Sequence, residues 1–290
     1  MLAAARDLAL LTKPRITLMV LVTTIGGLWL APGAMAPAAV LATLLGTAMV
    51  VGSANALNCW MERDVDRFMT RTRNRPLPAG RLEPETALFF GLGLGALSVP
   101  LLAVAANPLT ALLAAIALVS YVWIYTPLKQ KSWMALLVGA VPGAMPPLMG
   151  WTAATGALEA PGIVLFGILF VWQLPHFLAI ALFRQHEYTR AGIQVLPAVR
   201  GAGVTRLHAA LWAGALVPVT LLLVPLGIAG TFYLAVAGLT GLLFAGLCVA
   251  GLWRASSAES SHRWARAVFA ASLAYLPLLF AALAVDVAAR

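Results

Sequence analysis

Nine apolar runs, each long enough to cross a bilayer, decide what this 290-residue chain can become. About 20 consecutive apolar residues carry a helix through the hydrocarbon. Runs of that length can be drawn at about 15–36, 38–60, 86–106, 108–127, 134–154, 161–183, 207–226, 231–253 and 265–287. Lipid offers backbone groups no hydrogen-bond partners, so such runs fold as helices that satisfy themselves. The expectation is an all-α polytopic membrane protein with nine transmembrane helices, organised as one domain over residues 1–290. With 62% hydrophobic and only 10% charged residues, a soluble globular chain is excluded.

The basic residues give an independent check. With the N-terminus cytoplasmic, 18 of the 19 lysines and arginines fall on the cytoplasmic side, and only Arg290 falls on the other. That is the bias the positive-inside rule describes. The net charge of +9 then reflects topology and anionic lipid headgroups, not nucleic-acid binding. The N-terminal stretch lacks the apolar run and cleavage site of a secretory signal, so a bacterial cytoplasmic membrane is the expected home. Cys59 and Cys248 lie in separate runs and suggest neither a disulfide nor a thiolate site.

Chemistry is concentrated between Asn58 and Gly80, which holds three of the ten acidic and five of the nineteen basic residues. Continued as a helix, Asn58, Glu62 and Asp66 fall at i, i+4 and i+8, within an arc of roughly 80°. Asn55 shares the arc, whereas Asp64 points nearly the opposite way; both are second-rank candidates. Carboxylates and amides on one face offer oxygen ligands to a hard cation, Mg²⁺ above all, which completes its shell with water and phosphate. Arg67, Arg71, Arg73, Arg75 and Arg81 follow, and guanidinium forks fit phosphate oxygens. The same arginines would equally serve as topology determinants, with the acids as their ion-pair partners.

Other candidates lie on the same face. Tyr125 and Lys129 end the fourth run, where they would meet a phosphate or simply belong to the interfacial belt. The fifth run, with three prolines and three glycines between Gly139 and Trp151, suggests a broken helix forming one wall of a chamber. Gln173 and His176 interrupt the apolar sixth run, and intramembrane polar groups tend to face a functional interior. A histidine there is more commonly a packed, hydrogen-bonded residue. Glu187 is the sole acid in the loop that follows. Phosphate-cradling P-loops, HExxH, CxxC and serine-nucleophile settings are absent.

Together these residues carry a resemblance. Asn58–Asp66 as NxxxExxxD, followed by RTxxRPLPxG from Arg71 to Gly80, resembles the first acidic motif of the UbiA superfamily of intramembrane prenyltransferases. Tyr125 and Lys129 resemble its YxxxK. Within that superfamily, ERDVDRFMTRT, GAVPGAMPPLMGW, WQLPHF and EYTRAG are similar to the protoheme IX farnesyltransferases. The resemblance implies nine helices around a central cavity, Mg²⁺ as cofactor, and farnesyl diphosphate and protoheme IX as substrates. Oxidase-assembly proteins would be candidate partners for handing over the product, haem O. Carried over by position, Asn58, Glu62 and Asp66 would hold Mg²⁺, with Glu187 as a second acidic contact. Arg71, Arg75, Lys129 and Tyr125 would stabilise the leaving diphosphate, and Gln173 and His176 would face the haem. Two departures weaken the transfer: Glu62 replaces the family's aspartate, and Glu187 stands without the usual paired acids. An aromatic or quinone-precursor acceptor is the alternative within the superfamily. A transporter would place its polar groups nearer mid-membrane. A non-catalytic haem carrier would need His176 but not the carboxylates.

Overall fold

The computed structural model describes residues 2–255 and 257–289. Among them there are helices and no strands. Arg290, the one basic residue expected on the far side, lies outside the described residues. A short α1 (Leu2–Leu11) precedes α2 (Pro14–Leu30) and α3 (Pro37–Met61). After a loop containing one 3₁₀ turn at Val65–Phe68 come α4 (Pro84–Ala105) and α5 (Pro108–Val119), which runs through a π-helical turn, Ser120–Tyr125, into α6 (Thr126–Leu128). Then follow α7 (Ala135–Thr155), α8 (Ala160–Phe183), the short α9 (Gln185–Arg190), α10 (Leu196–Leu221), α11 (Thr231–Arg254) and α12 (Ala258–Ala288).

Seven of the described helices are long and apolar enough to cross a membrane, and eight if α1 and α2, bent by 47°, make one broken span. The chain is a multi-pass membrane protein. The expected count of nine is not confirmed by that criterion, because α7, 21 residues long, is not among the seven. Proline and glycine dilute its hydropathy, and most of its residues from Ala144 to Ala153 are buried in protein instead of facing lipid. Despite its three prolines, α7 stays one helix from Ala135 to Thr155. The ends differ from expectation where polar chemistry, invisible to hydropathy, sets them. The first span stops at Leu30, ahead of Pro32 and Gly33, and not at 36. The last helix starts at Ala258, not 265, because Ser257 caps it by accepting from the Ser260 amide at 3.1 Å. Likewise α10 begins at Leu196, with Pro197 in its first turn and a break at Gly201.

Between lipid-facing helices there is no hydrophobic drive to associate, so close packing and buried hydrogen bonds do the work. Gly27 of α2 lies against the Pro147 carbonyl of α7, and Gly150 of α7 against the Thr24 carbonyl of α2. A β-carbon at either would overlap backbone, which permits the two helices to cross at minimal distance. Ser53 donates to the Gly91 carbonyl at 2.7 Å, joining α3 to α4. Asn107 caps α5 and donates to the Thr152 carbonyl of α7 at 2.7 Å. One buried cluster groups α3, α4, α5 and α7, and a larger one groups α7, α8, α10, α11 and α12. Leu41, Val104, Leu242 and Leu243 are left exposed, as helices in lipid require.

Candidate active site

A cavity of about 840 Å³ opens between α2, α3, the π turn, α7, α8 and α12. Ile16, Val20, Val50, Leu118 and Leu178 make part of its wall apolar. The polar groups gather where α3, α6 and α8 end and α2, α7 and α12 begin.

The acidic stack forms because the chain keeps helical hydrogen bonding past the end of α3. The Glu62 amide donates to the Asn58 carbonyl at 2.9 Å and the Asp66 amide to the Glu62 carbonyl at 2.8 Å. Asn58, Glu62 and Asp66 therefore stay in line, all buried and all on the cavity wall. Each is matched to a cation. The Glu62 carboxylate pairs with the Lys129 ammonium and accepts from Asn58 Nδ2 at 2.9 Å. Arg75 Nη1 donates to Asp66 Oδ2 at 2.7 Å. The helix does end before Asp64, yet Asp64 stays exposed beside Arg63 and Arg67 and off the cavity wall.

The π turn aims the second set. One extra residue per turn shifts the phase of the helix, and such bulges are frequent at functional sites. Here it brings Tyr121, Tyr125 and Lys129 to the cavity. Thr126 Oγ1 donates to the Tyr121 carbonyl at 2.8 Å and accepts from Asn58 Nδ2 at 3.2 Å, tying the turn to the acidic stack. The Lys129 ammonium lies over the Tyr125 ring, 4.8 Å from its centroid. Gly139 is required opposite: a β-carbon there would come within 2.5 Å of that ring. Burial opposes the Lys129 charge, but Tyr125, Glu62 and Tyr121 outweigh it and raise its pKa above the usual lysine value. Burial likewise raises the Tyr188 phenol, with Arg71 as the main opposing influence, so this cavity-lining group stays protonated at neutral pH.

The remaining candidates divide between the cavity wall and other surroundings. Glu187 does not reach the cavity wall: α9 is a single short helix that turns Tyr188 inward and leaves Glu187 on Arg184, at 3.2 Å. His176 is not on the wall either. Its Nδ1 meets Ser272 Oγ at 2.7 Å, and its ring packs against Trp172 and Phe269. Since Ser272 Oγ donates to the Phe269 carbonyl at 2.6 Å, the histidine nitrogen is the donor. Gln173 does line the cavity, with Nε2 donating to the Ala140 carbonyl at 2.8 Å. Asn55 lines it too, with Nδ2 donating to the Thr12 carbonyl at 3.2 Å.

The cavity also holds residues the sequence did not single out. Lys13, just ahead of α2, donates to Asn58 Oδ1 at 3.1 Å. It is the one non-glycine residue with positive φ among those described, a conformation that costs about 1–2 kcal/mol. A lysine followed by proline just before a span was the only available signal. Arg184, Tyr188 and Arg266 also line the cavity. The Arg71 and Arg266 side chains make no hydrogen bond or ion pair among the described residues.

No three His, Cys, Asp or Glu side chains converge among the described residues, so a ready-made all-carboxylate metal cage is not present. Two buried carboxylates and a carboxamide suit a cation that keeps water and phosphate oxygens in its shell. Mg²⁺ fits such a set, once Lys129 and Arg75 turn from the acids to an arriving anion.

The UbiA prenyltransferase family model matches residues 20–284. A relative from Anaeromyxobacter sp. (strain Fw109-5) named protoheme IX farnesyltransferase is 57% identical over 279 residues, 96% of this chain and 93% of its own. A solved structure described as digeranylgeranylglyceryl phosphate synthase superimposes with a TM-score of 0.84 at 17% identity, covering 100% of both chains. A UbiA homolog from Archaeoglobus fulgidus bound to GPP and Mg²⁺ gives 0.71 at 17% identity, covering 96% of this chain and 99% of that one. These structures share the fold. The chain belongs to the UbiA prenyltransferase family, and the relatives it resembles over nearly its whole length include protoheme IX farnesyltransferase.

Proposed function

We propose that this protein transfers the farnesyl group of farnesyl diphosphate to a vinyl group of protoheme IX, with addition of water, giving haem O for terminal oxidases. The observation that carries the reading is the cavity itself, whose polar end gathers two carboxylates among cations and opens onto an apolar interior. The name of the 57% identical relative supports the acceptor, and the A. fulgidus homolog bound to GPP and Mg²⁺ supports the donor class and the metal. The enzyme would work as one domain in the bacterial inner membrane, N-terminus and cavity mouth cytoplasmic, with oxidase-assembly proteins receiving the product.

Asn58, Glu62 and Asp66 would hold Mg²⁺, which supplies positive charge to the diphosphate oxygens. As the allylic C–O bond breaks, its electron pair stays on the diphosphate. Arg71, Arg75 and Lys129 stabilise that growing charge. The apolar wall accepts the prenyl chain and keeps water from the allylic cation, while the Tyr121 and Tyr125 rings offer it π-faces. The vinyl π-electrons then bond to the farnesyl C1. Water adds to the resulting cation and loses a proton, leaving a hydroxyethylfarnesyl group.

The acceptor side is assigned to the α8 and α12 wall. There Phe269 lines the cavity one turn from Arg266, and Phe183, edge-on to Phe269 at 5.7 Å, adjoins Arg184. Flat rings between two guanidinium groups suit a planar dianionic porphyrin. Arg266→Gln should raise the KM for protoheme about tenfold, as for a charge-assisted hydrogen bond of roughly 1.5–3 kcal/mol, and leave the KM for farnesyl diphosphate unchanged. Steady-state kinetics with each substrate varied in turn check this. Equal effects on both would remove Arg266 from the acceptor side.

The deciding experiment supplies purified protein with Mg²⁺, farnesyl diphosphate and protoheme. The expected product is a haem heavier by one farnesyl group and one hydroxyl group, and chelation of the metal should abolish it. Prenylation of an aromatic acid, with haem untouched, would overturn the assignment.

A further inference from the structure

Lys13 is held inside the cavity by features that a membrane-boundary lysine does not need. A lysine that only sets topology extends its flexible stem toward lipid headgroups. This one turns inward onto the acidic stack, its ammonium on Asn58 Oδ1 at 3.1 Å. The turn that aims it is left-handed, φ 49° and ψ 69°, and the following Pro14 disfavours the right-handed alternative. The Thr12 carbonyl in that turn is pinned from two sides, by Asn55 Nδ2 at 3.2 Å and Thr17 Oγ1 at 2.9 Å. Backbone strain of this kind persists where surrounding groups enforce it, and it clusters at functional sites.

Charge supplies the ligand class. Lys129 and Arg75 each have a carboxylate, but Lys13 forms no ion pair among the described residues; its partner is a neutral amide. Setting Lys13, Arg71, Arg75 and Lys129 against Glu62 and Asp66 leaves two positive charges uncompensated at this end of the cavity. A cation drawn from water and given only a neutral partner is costly until an anion arrives. We propose that Lys13 is a further diphosphate-binding residue, kept on Asn58 in the free protein and transferred to the phosphoryl oxygens when the donor binds. The proposal rests on the prenyl-diphosphate reading above and adds a cation from α2's leading turn, outside the motif after α3.

Calorimetric titration of the purified full-length protein with inorganic pyrophosphate, in the presence of Mg²⁺, tests it. Lys13→Gln keeps a donor for Asn58 but removes the charge, and is expected to weaken pyrophosphate binding about tenfold, or 1.4 kcal/mol. Lys13→Gly removes both side chain and strain, since glycine adopts positive φ freely. It should lose the same affinity while its thermal midpoint holds or rises. Protoheme binding, followed by the haem absorption band, should be native in both. A lysine needed only for packing or topology would instead lower the thermal midpoint and leave the affinity of the folded protein intact. Native pyrophosphate affinity in either variant overturns the assignment of Lys13. Failure of the unaltered protein to bind Mg²⁺ and pyrophosphate at all would overturn the prenyl-diphosphate reading along with it.

Discussion

Asp66→Asn is expected to cut the rate of prenyl transfer by about 10²–10³-fold, the usual cost of removing one group that stabilises charge in a preorganised site. The carboxylate is 1% exposed and sits at the cavity wall. At the proposed metal site, replacing one oxygen by an amide would remove a ligand that water cannot easily replace. The fold should survive, because the partner Arg75 keeps 23% of its side-chain surface and can turn toward solvent. Rates measured across a Mg²⁺ titration should show the half-maximal concentration shifted upward in the variant. A folded Asp66→Asn protein working at the native rate would remove the carboxylate from the metal site.

Lys129→Met should damage both stability and turnover, and a second substitution separates the two. Glu62 is 8% exposed and has Lys129 as its cationic partner. Removing one member of a buried pair typically costs about 3–5 kcal/mol, because the remaining charge is stranded. Part of that is relieved here by the Asn58 hydrogen bond and by access from the cavity. Adding Glu62→Gln discharges the stranded acid, so the double variant should unfold near the native temperature. Its turnover should stay at least about 10²-fold down, because on the proposed mechanism the leaving group would have lost a cation. Recovery of turnover together with stability would mean that Lys129 merely neutralises Glu62.

Much of the fold could be read from apolar run length, because lipid leaves the backbone no alternative to helix. The limits came where ends are set by caps and packing, as at Ser257 or along α7. The acidic stack was legible because helical hydrogen bonding runs on past the end of α3 and keeps the i, i+4, i+8 residues in line. What could not be read depends on a change of phase or on distant partners. Tyr121 reaches the cavity through the π turn, and within one short helix it is Tyr188, not Glu187, that reaches the cavity. His176 is drawn off by Ser272, nearly a hundred residues later. Lys13 needs a left-handed turn that local composition does not announce.

The irregular turn at Ser120–Tyr125 lets one continuous rod obey two angular registers. Upstream, Leu113 and Ala114 present their stripe to neighbouring helices. Within the turn and just beyond it, a slipped stripe delivers two phenols and an ammonium. Packing residues can thus vary on one side of the slip without rotating the reactive groups on the other, and a single-residue deletion within it would swing the whole downstream stripe out of alignment.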